Sequence, residues 1–237
     1  MIETQGIIVS NKPAAESIHR IEVETERMEL SKPGQFAMVG ISNEDFHLNR
    51  PFSIYRQKEN KLTFLIQKRG AITSRLIKKS AGTKLRIIGP LGNWFSDAPA
   101  VIVAAGSSIA AFGDFIGRNN STIFYGAATK YDLIDIKADF FSTMDGSRGF
   151  RGNLVELFMT KREQSDKRNL YIAGPAAFIK AFRNRIDDDL ANRCCASLEA
   201  YMGCGFGVCL GCVVNTKNGY RRVCKDGTIF PLKELLL

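Results

Sequence analysis

Short apolar and alternating runs fill the chain up to about residue 97. Turn formers such as "SKPGQ" and "KENK" separate these runs, which read in order "GIIVS", "HRIEVET", "QFAMVGI", "KLTFLIQ" and "TKLRIIGPLG". Alternation with a period of two is typical of half-buried strands, and closely spaced short strands favour a small antiparallel barrel. Residues 1–97 are therefore predicted to form a β-barrel.

After residue 97, buried apolar runs alternate with helical periods. "AVIVAAG" (100–106) resembles a buried strand, and a helix-compatible stretch follows it to about Asn119. "STIFYGA" (121–127) and "NLYIAGP" (169–175) are strand-like, and "AAFIKAFRNRIDDDL" has a helical period that ends in an acidic group expected to be solvated. Because alternating strands and helices indicate a parallel sheet, residues 98–193 are predicted to be a nucleotide-binding-like α/β domain.

The segment 194–237 follows neither period and is rich in glycine and cysteine. It is expected to be a third, small domain. The predicted fold class is thus α+β with several domains: an antiparallel β-barrel, a parallel-sheet α/β domain and a C-terminal metal-cluster domain.

Composition and charge narrow the functional classes. The 237 residues are 45% hydrophobic and 24% charged, which suits a globular protein with a buried core. No apolar run approaches the roughly 18 residues of a membrane span, and the N-terminus lacks the pattern of a secretory signal, so we expect a cytoplasmic protein without membrane contact. The net charge is +9, but the basic residues are scattered in twos and threes, which favours a solvated surface with local anion sites over nucleic-acid binding.

Hydrolytic chemistry has no support in the sequence. His19 and His47 match no nucleophile or ligand pattern, so both are expected to be surface or structural residues. Neither a Ser-His-Asp arrangement nor a pair of catalytic carboxylates stands out.

The cysteines carry the most specific signal. Cys204, Cys209, Cys212 and Cys224 follow the spacing C-x4-C-x2-C with a distant fourth cysteine, which is typical of a plant-type [2Fe–2S] cluster. Structural zinc sites usually have two C-x2-C pairs, and this segment has one, so zinc is the weaker alternative. The glycines among these cysteines allow a tight loop around a cluster. Cys194 and Cys195 lie outside the spacing and are expected to fill a core.

A second signal is "LNRPFSIYR" (48–56). Its arginine can bind a phosphate, its proline stiffens the chain, and its serine hydroxyl can bond the edge of a flavin ring. Thr73 and Ser74 stand at a plausible helix start, where free N–H groups would favour a pyrophosphate. Alone, R-P-x-S is a weak motif, and its place in a predicted barrel strengthens it.

Together these features resemble the ferredoxin reductase superfamily. The tail, "EAYMGCGFGVCLGCVV" with "RVCKDGTIF", is similar to the electron-transfer subunit of NAD-linked, two-subunit dihydroorotate dehydrogenases. Further matching pieces are "PGQF" (33–36), "GPLG" (89–92) and "MDGSRGFRG" (144–152).

The resemblance implies the cofactors, the site residues and the partner. It implies FAD and a [2Fe–2S] cluster in this chain, NAD as the electron acceptor, and an FMN-containing catalytic subunit of dihydroorotate dehydrogenase in a two-plus-two heterotetramer. The FAD-binding residues that it implies are Arg50, Pro51, Phe52, Ser53, Leu65, Ile66, Gln67, Ile72 and Thr73. The cluster ligands that it implies are the four spaced cysteines.

The chain departs from the family pattern where NAD would bind. The expected turn G-G-G-x-G-x-x-P is "AAGSSIAAF" (104–112), the expected Cys-Gly-Pro is "AGP" (173–175), and Ile72 replaces a glycine on the FAD side. Side chains at the first turn would crowd a dinucleotide. The alternatives are an altered NAD site that still works, a reductase that passes electrons to another acceptor, and a non-catalytic scaffold subunit.

Overall fold

The computed structural model describes residues 2–42, 49–118, 120–163 and 166–236. His47 lies outside these ranges. His19, whose Nδ1 lies 2.8 Å from Oδ1 of Asn11, is a structural residue of the barrel as expected. Among the described residues, no helix is long and apolar enough to cross a membrane.

The first domain is a closed antiparallel barrel, as the alternating pattern predicts. Its strands are β1 (Ile2–Ala15), β2 (Ile18–Thr25), β3 (Phe36–Ile41), β4 (Arg50–Lys58), β5 (Lys61–Gln67) and β6 (Lys84–Leu91), with α1 (Ala71–Leu76) between the last two. They pair in the order β1-β2-β5-β4-β3-β6. The inward-facing residues, among them Ile21, Phe64 and Ile87, are fully buried and form the barrel core. Burial of one face of each strand determines this register.

The second domain is built on a parallel sheet. Its strands are β7 (Ala100–Ala105), β8 (Thr122–Ala127), β9 (Phe140–Thr143), β10 (Phe150–Arg151), β11 (Asn169–Ala173) and β12 (Cys194–Ser197). Helices α2 (Leu154–Lys161), α3 (Ala176–Arg183) and α4 (Asp188–Asn192) accompany them. The central strands β7, β8 and β11 are buried on both faces, which explains their continuous apolar runs.

Two helical expectations need correction. The stretch after β7 is a 3-10 helix over Gly106–Phe115, and it is interrupted at Phe112. The helical period that begins at Ala176 is divided between two helices, α3 and α4. The acidic group was expected to end one helix, but it begins the second. Asp187 is its N-cap, with Oδ1 accepting a hydrogen bond of 2.8 Å from the Leu190 N–H. Carboxylates suit this position because the N-terminal end of a helix carries partial positive charge.

The remaining elements are β13 (Val213–Thr216), β14 (Gly219–Arg222), α5 (Val223–Asp226) and β15 (Ile229–Pro231). The hairpin β13–β14 stands apart, whereas β15 joins the large sheet, whose order is β10-β9-β8-β7-β11-β12-β15. The sheet therefore crosses the expected boundary between the second and third domains at residue 193. Residues 198–228, here called the cluster segment, form an excursion between β12 and β15. The Leu198 N–H donates to the Thr228 carbonyl at 2.9 Å and closes this excursion.

An aromatic cluster joins the barrel to the sheet. Phe95, at the exit of the barrel, lies 4.4 Å from Tyr171 and 5.1 Å from Phe112 between ring centroids. Arg56 of the barrel donates hydrogen bonds to the carbonyl oxygens of Gly113 and Ile116. These contacts fix the two domains against each other along one side of a cleft.

Candidate active site

A cleft of about 650 Å³ lies where the barrel, the sheet and the cluster segment meet. Its walls come from the barrel strands β3, β4 and β5 with the turn that follows β5, the 3-10 helix after β7, the carboxyl ends of β11 and β12, and the cluster segment. The carboxyl edge of a parallel sheet is where ligands bind in open α/β folds. The cleft is therefore our candidate site.

Most of the residues expected to bind FAD line this cleft. They are Arg50, Pro51, Phe52, Ser53, Leu65, Gln67 and Thr73. Ile66 does not, because successive side chains of β5 point to opposite faces and its side chain is buried in the barrel core. Ile72 is also absent from the lining.

Gln67 lines the cleft and bonds three neighbouring side chains. Its Oε1 accepts hydrogen bonds of 2.9 Å from Arg69 Nε and from the Ser107 hydroxyl, and its Nε2 lies 3.3 Å from the Ser17 hydroxyl. Strand β5 and the 3-10 helix after β7 are thus connected through the Gln67 amide. The side chain of Gln67 is held in place by three partners.

Thr73 shapes the turn before α1. Its hydroxyl oxygen accepts hydrogen bonds from the N–H groups of Arg69 and Gly70 at 2.9 and 3.0 Å. The helix begins at Ala71, so Thr73 lies within its first turn. The N–H groups of Arg69 and Gly70, just before the helix, are therefore satisfied by this side chain.

The turn after β7 has the departures expected from the sequence. Ser107, Ser108, Ala110 and Ala111 all line the cleft. The Ser108 hydroxyl donates a hydrogen bond of 2.7 Å to Oε1 of Glu199, at the start of the cluster segment. Both serine hydroxyls are therefore engaged with neighbouring elements. Ala173, which occupies the position of the family's cysteine, also faces the cleft.

Sequence reasoning missed several lining residues. They are Phe36, Ser197, Glu199, Tyr201, Met202 and Thr228. Phe36 ends the quoted "PGQF", but nothing local indicates that it faces a cofactor site. The others lie before or after the cysteine motif, and only the return of the chain to the sheet brings them to the cleft.

The four spaced cysteines lie in two pairs. The Cys209 thiol acts on the pKa of Cys204, and the Cys212 thiol acts on the pKa of Cys224. The Cys224 N–H lies 3.4 Å from Sγ of Cys212. Two irons need two thiolates each, so this donor set fits a [2Fe–2S] cluster. Within the described ranges, no three metal-ligating side chains converge on a point suited to one metal ion.

The backbone around Cys204 favours its thiolate. Burial opposes the charge, but N–H groups of Cys209, Phe206 and Val208 and the thiol of Cys209 together lower the pKa of Cys204 to about 6. Hydrogen bonds to a charged group stabilise it in this way. Burial, followed by the hydrogen bond with Cys212, raises the pKa of Cys224 to about 12. A cluster binds thiolates, so the loop around Cys204 is already suited to a ligand.

Two glycines explain why the loop can wrap a cluster. A Cβ on Gly203 would lie 3.3 Å from Sγ of Cys209, tight against a ligand atom. Gly205 has φ +84° and lies so close to the barrel that a Cβ there would come within 2.4 Å of Met38 Cγ. A side chain at position 205 would therefore clash with the barrel, and one at position 203 would be tight against the Cys209 thiol. Cys194 and Cys195, by contrast, pack in the core on β12, and burial raises the pKa of both thiols.

Comparison with known proteins agrees with this geometry. Residues 199–236 match the model of the iron-sulfur cluster binding domain of dihydroorotate dehydrogenase B. A dihydroorotate dehydrogenase B (NAD(+)) electron transfer subunit from Shouchella clausii is 30% identical over 97% of this chain and 96% of its own length.

The chain belongs to the family of dihydroorotate dehydrogenase B electron transfer subunits. The subunit of the same name from Geobacillus sp. is 28% identical and aligned over the whole of both chains. Membership of this family agrees with the resemblance found in the sequence.

Solved structures show the same fold. An NADH-dependent reduced ferredoxin-NADP oxidoreductase superposes with a TM-score of 0.80 at 23% identity, covering 97% of this chain and 89% of that one. A ferredoxin reductase of carbazole 1,9a-dioxygenase gives 0.70 at 16% identity, with 80% and 68% coverage. This chain therefore has a ferredoxin reductase-like fold, with the cluster segment placed between β12 and β15 of its large sheet.

Proposed function

We propose that this chain passes electrons between the catalytic subunit of dihydroorotate dehydrogenase and NAD, through a [2Fe–2S] cluster and FAD. The observation that carries the proposal is the shared wall of the cleft: Gly203 and Gly211, which flank cluster cysteines, line the same cleft as Arg50 and Ser53. A cofactor in the cleft would therefore lie beside the cluster segment. The names of the relatives agree with this role, and we propose pyrimidine synthesis as its context.

The cleft has the chemistry that FAD needs. A bound flavin exchanges hydride with a nicotinamide and single electrons with a cluster. The Arg50 guanidinium supplies positive charge for a pyrophosphate, and the Ser53 hydroxyl a hydrogen bond for a ring edge. Pro51, Phe52 and Leu65 provide apolar contacts. We propose that Gln67 and Thr73 contribute polar groups, and that Ile66 and Ile72 act through their backbone.

The partner is proposed to dock on the cluster segment. Several large apolar side chains of this segment are exposed: Tyr201, Phe206, Val208, Leu210, Val213 and Tyr220. Exposed apolar groups clustered in this way mark interaction surfaces. Cys209 is itself exposed among them, which suits transfer to a neighbouring protein. We propose an FMN-containing catalytic subunit, a two-plus-two complex and a cytoplasmic location, where thiols stay reduced.

A second candidate function has an observation in its favour. The serines that replace family glycines are hydrogen-bonded to Gln67 and Glu199, and the Glu199 carboxylate faces the cleft in which an anionic dinucleotide would lie. These features favour an acceptor other than NAD, such as a small electron-transfer protein. The names of the relatives favour NAD.

An anaerobic titration separates the two. Protein with FAD, iron and sulfide contents measured beforehand receives NADH at submillimolar concentration while its visible spectrum is recorded. Fast bleaching of the flavin and cluster bands supports the NAD-linked function. Full cofactor content without bleaching overturns the NAD step and supports another acceptor, and a colourless protein after anaerobic purification supports the scaffold alternative.

Replacing one cluster ligand tests the path to the partner. Cys209→Ser removes an exposed ligand, so we expect loss of the cluster absorbance and of electron transfer from the catalytic subunit while FAD stays bound. Cys195→Ser, a thiol outside the four, is the matched control and should leave the cluster intact. Loss of FAD from Cys209→Ser would instead indicate that the tail supports the whole fold.

A further inference from the structure

Asn93 bonds the loop after the barrel to the end of the cluster segment. Its backbone N–H donates to the Gly227 carbonyl at 2.8 Å. Its side-chain Nδ2 donates to the Ile229 carbonyl at 2.7 Å, and its Oδ1 accepts from the Ile229 N–H at 2.9 Å. The two side-chain hydrogen bonds thus join positions 136 residues apart in the chain, and the backbone bond adds a third link two residues earlier.

The side-chain amide of Asn93 pairs with the backbone of Ile229 as the peptide group of a neighbouring strand would. An amide offers one donor and one acceptor in a plane, as a peptide group does, and both are used on the same residue. Aspartate would lose the donor, and glutamine would carry the amide one methylene farther out. Gly92, next to Asn93, lets the two backbone segments approach closely, since a Cβ there would lie 3.1 Å from the Gly227 carbonyl oxygen. We call these three hydrogen bonds the Asn93 clamp.

Along the chain, the residues that the clamp holds come directly after a proposed cluster ligand and next to a residue of the cleft. On one side, α5 carries the cluster ligand Cys224 and ends at Asp226, directly before Gly227. On the other side, Thr228 lines the cleft, and its hydroxyl lies 3.4 Å from the Gly34 carbonyl of the barrel. The barrel loop is held in turn by Gln35, whose Nε2 donates to the Gly92 carbonyl at 3.0 Å.

We propose that Asn93 is a positioning residue that sets the spacing between the cluster and the flavin. This inference rests on the proposed function. Single-electron exchange slows steeply as two cofactors separate, so a clamp that fixes Cys224 relative to the cleft controls its rate. No bond forms or breaks in the exchange: one electron leaves one cofactor and enters the other.

The test compares Asn93→Ala and Asn93→Asp with Asn11→Ala in the reconstituted full chain. Asn11 is a matched control because its Nδ2 also donates to two carbonyls, of Ile77 and Lys79, and these lie within the barrel. In the apoprotein, hydrogen exchange followed by mass spectrometry should show faster exchange at 224–229 for the Asn93 variants only.

In the loaded protein, a substoichiometric pulse of a one-electron reductant starts the exchange between the two absorption bands. We expect it to be several-fold slower in Asn93→Ala, with unchanged cofactor content and reduction potentials. It should be at least as slow in Asn93→Asp, whose carboxylate keeps the acceptor but sets a second oxygen against the Ile229 carbonyl. An exchange rate equal to wild type in both Asn93 variants would overturn the inference. A loss of stability equal to that of Asn11→Ala with an unchanged rate would also overturn it, because Asn93 would then be structural only. Absence of exchange in the wild type would instead contradict the proposed function.

Discussion

Single residues show how neighbouring groups divide the tasks of the site. On β5, Leu65 and Gln67 face the cleft while Ile66 fills the barrel core, so strand alternation alone separates cleft-lining side chains from core packing. In the cluster segment, hydrogen bonds outweigh burial at Cys204 and lower its pKa. At Cys224, burial dominates and raises the pKa. The two thiols therefore differ in pKa, which predicts different reactivities in the apoprotein.

The pH dependence of alkylation should reveal this difference in the apoprotein. The pKa of Cys204 is lowered to about 6, so its thiolate should react with iodoacetamide down to about that pH, whereas Cys224, with its pKa raised to about 12, should stay unreactive at neutral pH. An unfolded thiol has a pKa of about 8.5. The stabilisation from the Cys204 thiolate is thus complete above about pH 8.5 and is lost as the pH falls through about 6.

Short iodoacetamide pulses across this pH range, with peptide mass spectrometry, measure the rate at each cysteine. The same protein in denaturant is the control, because there the cysteines should titrate near the ordinary value. A Cys204 rate that follows the denatured titration would contradict the prediction.

Secondary-structure elements depend on close approach at a few positions. The stretch after β7 has helical composition, yet it forms a 3-10 helix that places Gly113 against the backbone of Tyr55 in β4. A Cβ on Gly113 would lie 1.7 Å from the Tyr55 carbonyl oxygen. The 3-10 form of this helix therefore goes with its contact to the barrel, which the local sequence period does not show.

Gly113→Ala should destabilise the junction of barrel and sheet. Because the contact is with backbone, strand β4 or the 3-10 helix has to move, and we expect a loss of about 2–3 kcal/mol in the free energy of unfolding. Urea denaturation of the apoprotein measures it. Gly70→Ala is the control, since a Cβ there meets nothing within 4 Å, and its effect should stay within about 0.5 kcal/mol. Equal stability of the two variants would refute the close-packing argument.

At the scale of the whole molecule, the large sheet has two edges that carry different exposed surfaces. The cluster segment leaves the sheet between β12 and β15 at one edge, and β9 and β10 lie at the other. Exposed apolar side chains occur at both ends, but they cluster around the cysteines. This distribution supports the cluster segment as the docking surface.

Val208→Asp should weaken the complex with the catalytic subunit. Val208 is 74% exposed, so the variant should fold and keep its cofactors, while a charge buried on docking raises the Kd by about tenfold or more. Met144→Asp is the matched control: Met144 is also exposed, directly after β9 at the opposite end of the sheet. Calorimetric titration against the catalytic subunit measures both. An unchanged Kd for Val208→Asp, or an equal loss for Met144→Asp, would exclude this docking surface.

Local patterns by themselves determined the barrel and the central strands of the sheet, and they predict the four spaced cysteines as cluster ligands, because alternation, apolar runs and ligand spacing are properties of short segments. Only the tertiary structure decided how distant segments meet. It joined β12 and β15 to one sheet, brought Glu199 and Thr228 to the cleft, turned the stretch after β7 into a 3-10 helix and bonded Asn93 to Ile229. The physical reason is that periodicity records which face of a segment is buried, whereas the partner that buries it depends on the packing of the whole chain.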